Sequence, residues 1–421
     1  MGQLAQLFNG FTEFKPQFLI MYAIGGILIY LAIKKEYEPT LLLPIGFGCI
    51  IVNLPLRSIW QADPLLDQTV TDLLATNPEL TAYFTENLHY IVENGQAFKV
   101  EPGLMQILYN SGILTELFPC LIFIAVGAMI DFSPLLKNPK LIFCGAAAQF
   151  GIFLTILLAL LLGKVFPSLG FDLKAAASIG IIGAADGPTS IYVAARFAPQ
   201  FLGAISVAAY SYMSLVPIIQ PPIIKLTTTK KERMIRMELK EERVSKKVLI
   251  IFPIAITVAA GIIAPTSVPL VGTLMFGNLL RECGVLQRLS QSAQNELANL
   301  VTLLLGITIG STMYYEQILT PAVLLIMAMG LLAFVFDTAG GVFFVKIINL
   351  FSKKKINPMV GAAGISAFPM SARIVQKMAK EEDPENFILM QAVSANVAGQ
   401  LGSIVAGSMV LTLVPMLLNM L

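Results

Sequence analysis

Ser178-Ile-Gly-Ile-Ile-Gly-Ala-Ala-Asp186-Gly-Pro-Thr-Ser-Ile-Tyr192 sets one acid between apolar flanks, just before a Gly-Pro pair that an uninterrupted helix does not tolerate. A carboxylate at membrane depth costs roughly 2.5–3.5 kcal/mol on insertion scales, so an acid kept there reads first as an ion or proton site. The bland alternative is a cap on a half-helix, with Gly187-Pro188 as the turn.

The rest of the chain says that the surroundings are membrane. Of 421 residues, 56% are hydrophobic and 13% charged, against about 25% charged in soluble domains. At roughly 20 residues per span, there is room for about ten crossings and one sizeable loop. The four cysteines (Cys49, Cys120, Cys144, Cys283) lie apart in or beside apolar segments and read as packing residues. The single histidine, His89, lies in a polar loop, which excludes a histidine-based metal site or triad. The run 18–33 lacks the basic flank of a cleaved signal and reads as a retained span.

The segment Thr40 to Leu54, with Pro44, Gly46 and Gly48, is too short and interrupted for a plain span and reads as broken or re-entrant. Residues 55–102 form a polar loop carrying Trp60 and seven acids, with only Arg57 and Lys99 basic. Lys225 to Lys247 carries nine Lys/Arg against four acids, and Lys353-Lys354-Lys355 is a second basic cluster. The positive-inside rule places both clusters in the cytoplasm and the acidic loop outside. The basic loop thus reads as a topology signal and not as a nucleic-acid patch. It also parts two apolar blocks with matching short motifs. Phe47-Gly48 answers Phe276-Gly277, Val126-Gly127 answers Leu305-Gly306, and Gly183-Ala-Ala-Asp186 answers Gly361-Ala-Ala-Gly364. Paired interrupted segments in two halves point to a transporter's midplane site. The expected fold is therefore an all-α polytopic membrane protein built as two inverted repeats with broken or re-entrant helices. Its expected parts are an N-terminal span (1–35), a first repeat (36–224), the basic loop (225–247) and a second repeat (248–421).

Polar residues gather in the broken segments: Asp186 with Thr189 and Ser190; Tyr210, Ser211, Tyr212 and Ser214; Asn278; and Asn357, Gly361, Ser366, Ser371 and Arg373. Unwound helices free backbone carbonyls, which together with hydroxyls, an amide and a carboxylate make an oxygen set suited to a hard cation such as sodium. Tyr210 and Tyr212 also read as interfacial aromatics, Asn278 and Ser366 as interhelical glue, and Arg281-Glu282 as a local pair. No nucleophile with a base, carboxylate pair or phosphate loop appears, so the chain does not look like a self-sufficient enzyme.

Four segments carry a resemblance: Gly180-Ile-Ile-Gly-Ala-Ala-Asp186-Gly-Pro-Thr-Ser-Ile-Tyr192, Ala209-Tyr-Ser-Tyr-Met-Ser-Leu-Val-Pro-Ile-Ile-Gln-Pro-Pro222, Phe276-Gly-Asn-Leu-Leu-Arg-Glu-Cys-Gly-Val285 and Asn357-Pro-Met-Val-Gly-Ala-Ala-Gly-Ile-Ser-Ala-Phe-Pro-Met-Ser-Ala-Arg373. They resemble the β subunits of sodium-pumping biotin-dependent decarboxylases, which act on oxaloacetate, methylmalonyl-CoA or glutaconyl-CoA. The resemblance runs from about Glu36 to the C-terminus. It departs at Ala184, where the family usually has glycine, a costly change if that residue needs positive φ.

The resemblance implies that a carboxyltransferase α subunit loads biotin on a carrier protein, and that this subunit decarboxylates carboxybiotin, consuming a proton and exporting sodium. It implies that Asp186 and Asn357 hold a sodium ion, that Tyr212 and Ser366 form another site or a proton path, and that Gly361 gives close backbone approach. Arg373, with Asn278, would meet carboxybiotin, or Arg373 would help gate the pathway. A small γ or δ membrane subunit, a homo-oligomer of β subunits, surrounding lipid and the cytoplasmic membrane complete the expectation. Two readings compete with it: a stand-alone sodium-coupled carboxylate transporter or sodium/proton antiporter, and a structural membrane anchor.

Overall fold

The structure, a computed structural model, describes residues 14–55, 59–60, 65–81, 85, 90–93, 96–99, 102–237 and 244–420. Helix α1 (Pro16–Lys35) starts on proline and ends on Lys34-Lys35, both favourable to the helix dipole. The chain then doubles back through Glu36 and Glu38, both with positive φ, into α2 (Pro39–Val52). In the part of the polar loop that is described, a small antiparallel sheet joins β1 (Leu65–Leu66), β2 (Tyr90–Glu93) and β3 (Gln96–Lys99) in the order β1-β3-β2. His89, Arg57, Asp63, Glu86 and Glu101 lie outside the described residues.

Next come α3 (Leu117–Met129), α4 (Ile142–Ala147), α5 (Phe150–Val165) and α6 (Leu173–Gly180). A 3₁₀ turn, Ile181–Ala184, leads to α7 (Gly187–Phe197), then α8 (Leu202–Ser214) and α9 (Val216–Thr227). Past the basic loop are α10 (Lys246–Ile263), α11 (Val268–Glu282), α12 (Ala298–Ser311) and α13 (Pro321–Phe351). The short α14 (Pro358–Ala362), α15 (Met370–Glu382) and the long α16 (Leu389–Met420) close the fold.

Among the described residues, four helices are long and apolar enough to cross a membrane, or up to six if each bent pair counts as one span. The bent pairs are Leu104–Leu114 with Leu117–Met129, at 60°, and Pro199–Ser214 with Val216–Thr227, at 68°. Pro39–Val52 and Leu173–Ala184 form shorter apolar helices. Val248, Ile251, Ile254, Val258 and Ile262 of α10 are exposed, as suits a helix facing lipid. The chain is an all-α membrane protein apart from the small sheet. Residues Pro321–Phe351 run as a single helix with the acid Asp337 buried inside it.

The apolar blocks cross-pack. Helix α2 of the first lies on α12 of the second, where a Cβ on Gly48 would stand 3.0 Å from Gly310 Cα. Helix α3 lies on α11, where a Cβ on Gly277 would stand 2.9 Å from the Ala128 nitrogen. Small residues let these backbones approach without a hydrophobic drive, which lipid does not supply.

Polar groups at the opposite end strap the basic loop down. Arg233 pairs with Glu382 at 2.7 Å, Arg236 with Asp383 at 2.7 Å and Lys346 with Glu232 at 3.1 Å. The hydrogen bond from Arg236 holds the Asp383 carboxyl below the usual carboxylate range. Asn357 Nδ2 donates to the carbonyls of Arg233 (2.8 Å) and Ile235 (2.9 Å), while its Oδ1 accepts from the Met359 nitrogen.

Candidate functional site

Asp186 stands where the helical path breaks. Ala185 takes a left-handed conformation, φ 52°, and Gly187-Pro188 starts α7. The Asp186 side chain is buried. Its Oδ2 accepts from the Thr189 hydroxyl at 2.6 Å and from the Ser403 hydroxyl of α16 at 3.2 Å. The positive φ falls on Ala185 and not on Ala184. The alanine at 184 therefore packs inside a regular turn, at no conformational penalty.

A second break faces the first. Between α14 and α15 the chain unwinds, and Ser366 Oγ donates to the carbonyl of Ala184. Asn396 Nδ2 donates to the Ile365 carbonyl at 2.6 Å, and Gln220 Nε2 to the Ala362 carbonyl at 2.8 Å. Carbonyls freed by unwinding are thus paired, as membrane depth demands. The amide oxygens of Asn396 and Gln400 are buried without a partner. Unpaired acceptors of this kind are costly unless a ligand completes them.

A cavity of about 410 Å³ opens at this crossing, lined by Glu38, Asp186, Tyr210, Thr302, Ser366 and Gln400 among others; among the described residues, no Lys, Arg or His reaches its wall. Among the described residues, no three His, Cys, Asp or Glu side chains come together. One or two carboxyls with neutral oxygens suit a monovalent cation that must also be released; tight multivalent sites gather more charge.

Residues 17–414 match the family described as the Na+-transporting oxaloacetate decarboxylase beta subunit. The chain belongs to this family. It is similar to the oxaloacetate decarboxylase beta chain of Klebsiella pneumoniae, 44% identical over 93% of this chain and 94% of that one. It is also similar to the methylmalonyl-CoA decarboxylase subunit beta of Propionigenium modestum, 45% identical over 96% and 97%. The glutaconyl-CoA decarboxylase subunit beta of Acidaminococcus fermentans is 44% identical over 96% of each chain. The chain is accordingly a membrane-embedded β subunit of the sodium-transporting decarboxylase class, part of a multi-subunit enzyme.

In this β subunit, the structure brings Asp186 and Ser366 to the cavity wall and sets the other expected site residues elsewhere. Tyr212 points away and donates to the Met327 carbonyl; Tyr210, two residues earlier, is the tyrosine in the wall. Asn278 Nδ2 donates to the Ile130 carbonyl at 2.9 Å, closing the end of α3. Gly361 does give close backbone approach, but to Gly341 of α13. Asn357 serves the loop strap, and Arg373 is exposed near the start of α15.

Beyond the residues expected from the sequence, the site includes Asn396, Gln400 and Ser403, which recur at i, i+4 and i+7 along α16, a helix that also carries Gln391, Ser394 and Ser408. That spacing aligns them on one helix face, and it was the available signal. Asp337 carried the same signal as Asp186, a lone acid in an apolar run. Its Oδ1 accepts from the Gly151 nitrogen at 2.5 Å, at the N-terminus of α5, where a carboxylate is favoured.

The strap gives a direct check. Asn357→Ala removes two amide donations to the Arg233 and Ile235 carbonyls and leaves them the longer 3.3 Å bonds from Asn386, at a cost of about 1 kcal/mol. The expected result is faster tryptic cleavage at Lys230 and Lys231 with sodium affinity unchanged. A fall in sodium affinity of about tenfold or more would instead make Asn357 an ion ligand.

Proposed function

We propose that this chain decarboxylates carboxybiotin presented from the cytoplasm and couples that step to export of sodium across the cytoplasmic membrane. A partner carboxyltransferase α subunit would load the biotin on a carrier protein, with a small γ or δ membrane subunit and further β copies completing the assembly. The observation that carries this reading is the crossing of two helix breaks at Asp186, beside the unpartnered amide oxygens of Asn396 and Gln400. Asp186, Ser403, Gln400, Asn396 and Ser366 are the proposed sodium-binding set. All offer oxygen, the donor a hard cation takes.

The proposed frame is two inverted repeats, 36–224 and 248–421, joined by the basic loop 225–247 and preceded by the span 1–35. With the short helices counted, it makes about ten crossings. The reciprocal packing of α2 on α12 and α3 on α11 supports it, as do the paired breaks. Moving one charge against 100 mV takes about 2.3 kcal/mol. Asp186 would travel outward with sodium and come back neutral, carrying a proton.

The test is sodium-22 uptake by proteoliposomes containing the purified subunits, driven by free carboxybiotin. Sodium-stimulated decarboxylation with uptake is expected. Sodium transport by the chain alone, without decarboxylation and indifferent to avidin, would mark a stand-alone transporter instead. Gln400→Leu removes one neutral ligand and should raise the half-saturating sodium concentration about tenfold, the effect of one net hydrogen-bond-strength contact.

A further inference from the structure

Glu38 is a second carboxyl in the Asp186 cavity, contributed by the turn between α1 and α2. It sits there at a conformational cost, since its φ is 37° and a proline follows. Non-glycine residues avoid that region, and pre-proline residues avoid helical ψ. Strain of this sort persists where surrounding structure imposes it, commonly at functional positions. The residue is partly buried, and no ion pair with it occurs among the described residues. Tyr210 shares this wall with the two acids, its ring against Gly187. The titratable groups facing Glu38 from packed elements are Asp186 and Tyr210; its own turn holds Lys35, Glu36 and Tyr37.

Charge then limits what the cavity can accept. Among the described residues, its wall has two carboxyls and no basic residue. An anionic carboxylated ureido group could not share that space with two ionised acids, because like charges in a low-dielectric pocket repel strongly. With the ureido group in this cavity and sodium neutralising Asp186, Glu38 must carry a proton, which would then lie beside the group that needs one.

We propose that Glu38 is the general acid for carboxybiotin decarboxylation, a proposal resting on the function argued above. As the bond between the ureido nitrogen and the carboxyl carbon breaks, carbon dioxide leaves. The bond's electron pair stays with the ureido group, and the Glu38 O–H proton goes to that nitrogen. Glu38 is left as a carboxylate and regains its proton from water. Asp186 binds the ion and Glu38 serves the chemistry.

The experiment uses the purified complex, free N-carboxybiotin as substrate and sodium-22 as binding probe. Glu38→Gln should lower decarboxylation at pH 7 by at least about 100-fold, the contribution typical of a general acid, with sodium-22 affinity held within about threefold. Its residual rate should climb roughly tenfold per unit of falling pH, as hydronium replaces the lost acid. Glu38→Asp, which keeps a carboxyl, should recover all but about tenfold of the rate.

An unchanged rate and pH profile in Glu38→Gln overturns the proposal. So does parallel loss of sodium-22 binding, which would make Glu38 an ion ligand or a structural residue, and so does a Glu38→Asp variant as slow as Glu38→Gln. If the unaltered complex fails to decarboxylate free carboxybiotin, the underlying function falls with it. That failure is visible before any variant is made.

Discussion

Asp186→Asn is expected to lower sodium affinity by roughly 10²- to 10³-fold and to abolish sodium-coupled decarboxylation. Removing one member of a buried charge pair costs roughly 3–5 kcal/mol, and each 1.4 kcal/mol is about a tenfold change in affinity. Asparagine keeps the size of the side chain and an acceptor for Thr189 and Ser403, whose hydroxyls both reach Oδ2. The fold should survive, and only the ion's charge partner disappears. Sodium-22 binding to the purified variant is the measurement, with thermal unfolding of the same sample as control. Retained coupled transport would refute Asp186 as the ion carrier and favour a structural role for the chain.

Gly310→Val carries the largest expected effect on assembly. A Cβ on Gly310 would lie 2.9 Å from Gly48 Cα and would run into the Ile45 carbonyl. Both obstacles are backbone, so no side chain can rotate out of the way. Overpacking of an ordinary core costs roughly 1–3 kcal/mol because side chains adjust; here two helices must separate, so a cost at or above the top of that range is expected. The lost contact is one of the close helix pairings, with that of α3 on α11, that join the first block to the second. Size-exclusion profiles in detergent should show a reduced monodisperse peak and an earlier thermal transition. A normal profile would mean that α2 and α12 slide apart cheaply.

Part of the candidate site was legible because cost makes residues conspicuous. Asp186 could be read from a single line of sequence, since an acid and a Gly-Pro pair in an apolar run have few bland explanations. Ser366 was reachable through the matching of two broken segments. Asn357 and Tyr212 show the limit of that approach. Both are polar and lie in the right segments, yet a side chain's direction depends on helix rotation. Asn357 turns to loop carbonyls and Tyr212 to Met327. Gln400 and Ser403 were hidden for the opposite reason. Uncharged polar residues in a long helix cost little, and only their alignment on one face sets them apart. Glu38 was invisible as a cavity residue because it follows a lysine pair and looks like a span end. Its turn aims it inward, and no local pattern announces a left-handed glutamate. The crossing count was the least legible part, because several helices that pack at depth are shorter than a span.

The pairing of α2 with α12 bears on how the protein is made. Asn53, just past α2, donates to the Met313 carbonyl at 2.8 Å, across 260 residues of chain. At synthesis rates of roughly 5–20 residues per second, α2 waits about 10–50 s for its partner to leave the ribosome. Through that interval a helix interrupted by Pro44 has the glycine face that α12 will cover still bare. The nascent chain must therefore be sheltered at the insertion machinery until late in translation. Ribosome-bound intermediates ending before α12 should crosslink from position 48 to the insertase, and full-length chains should not.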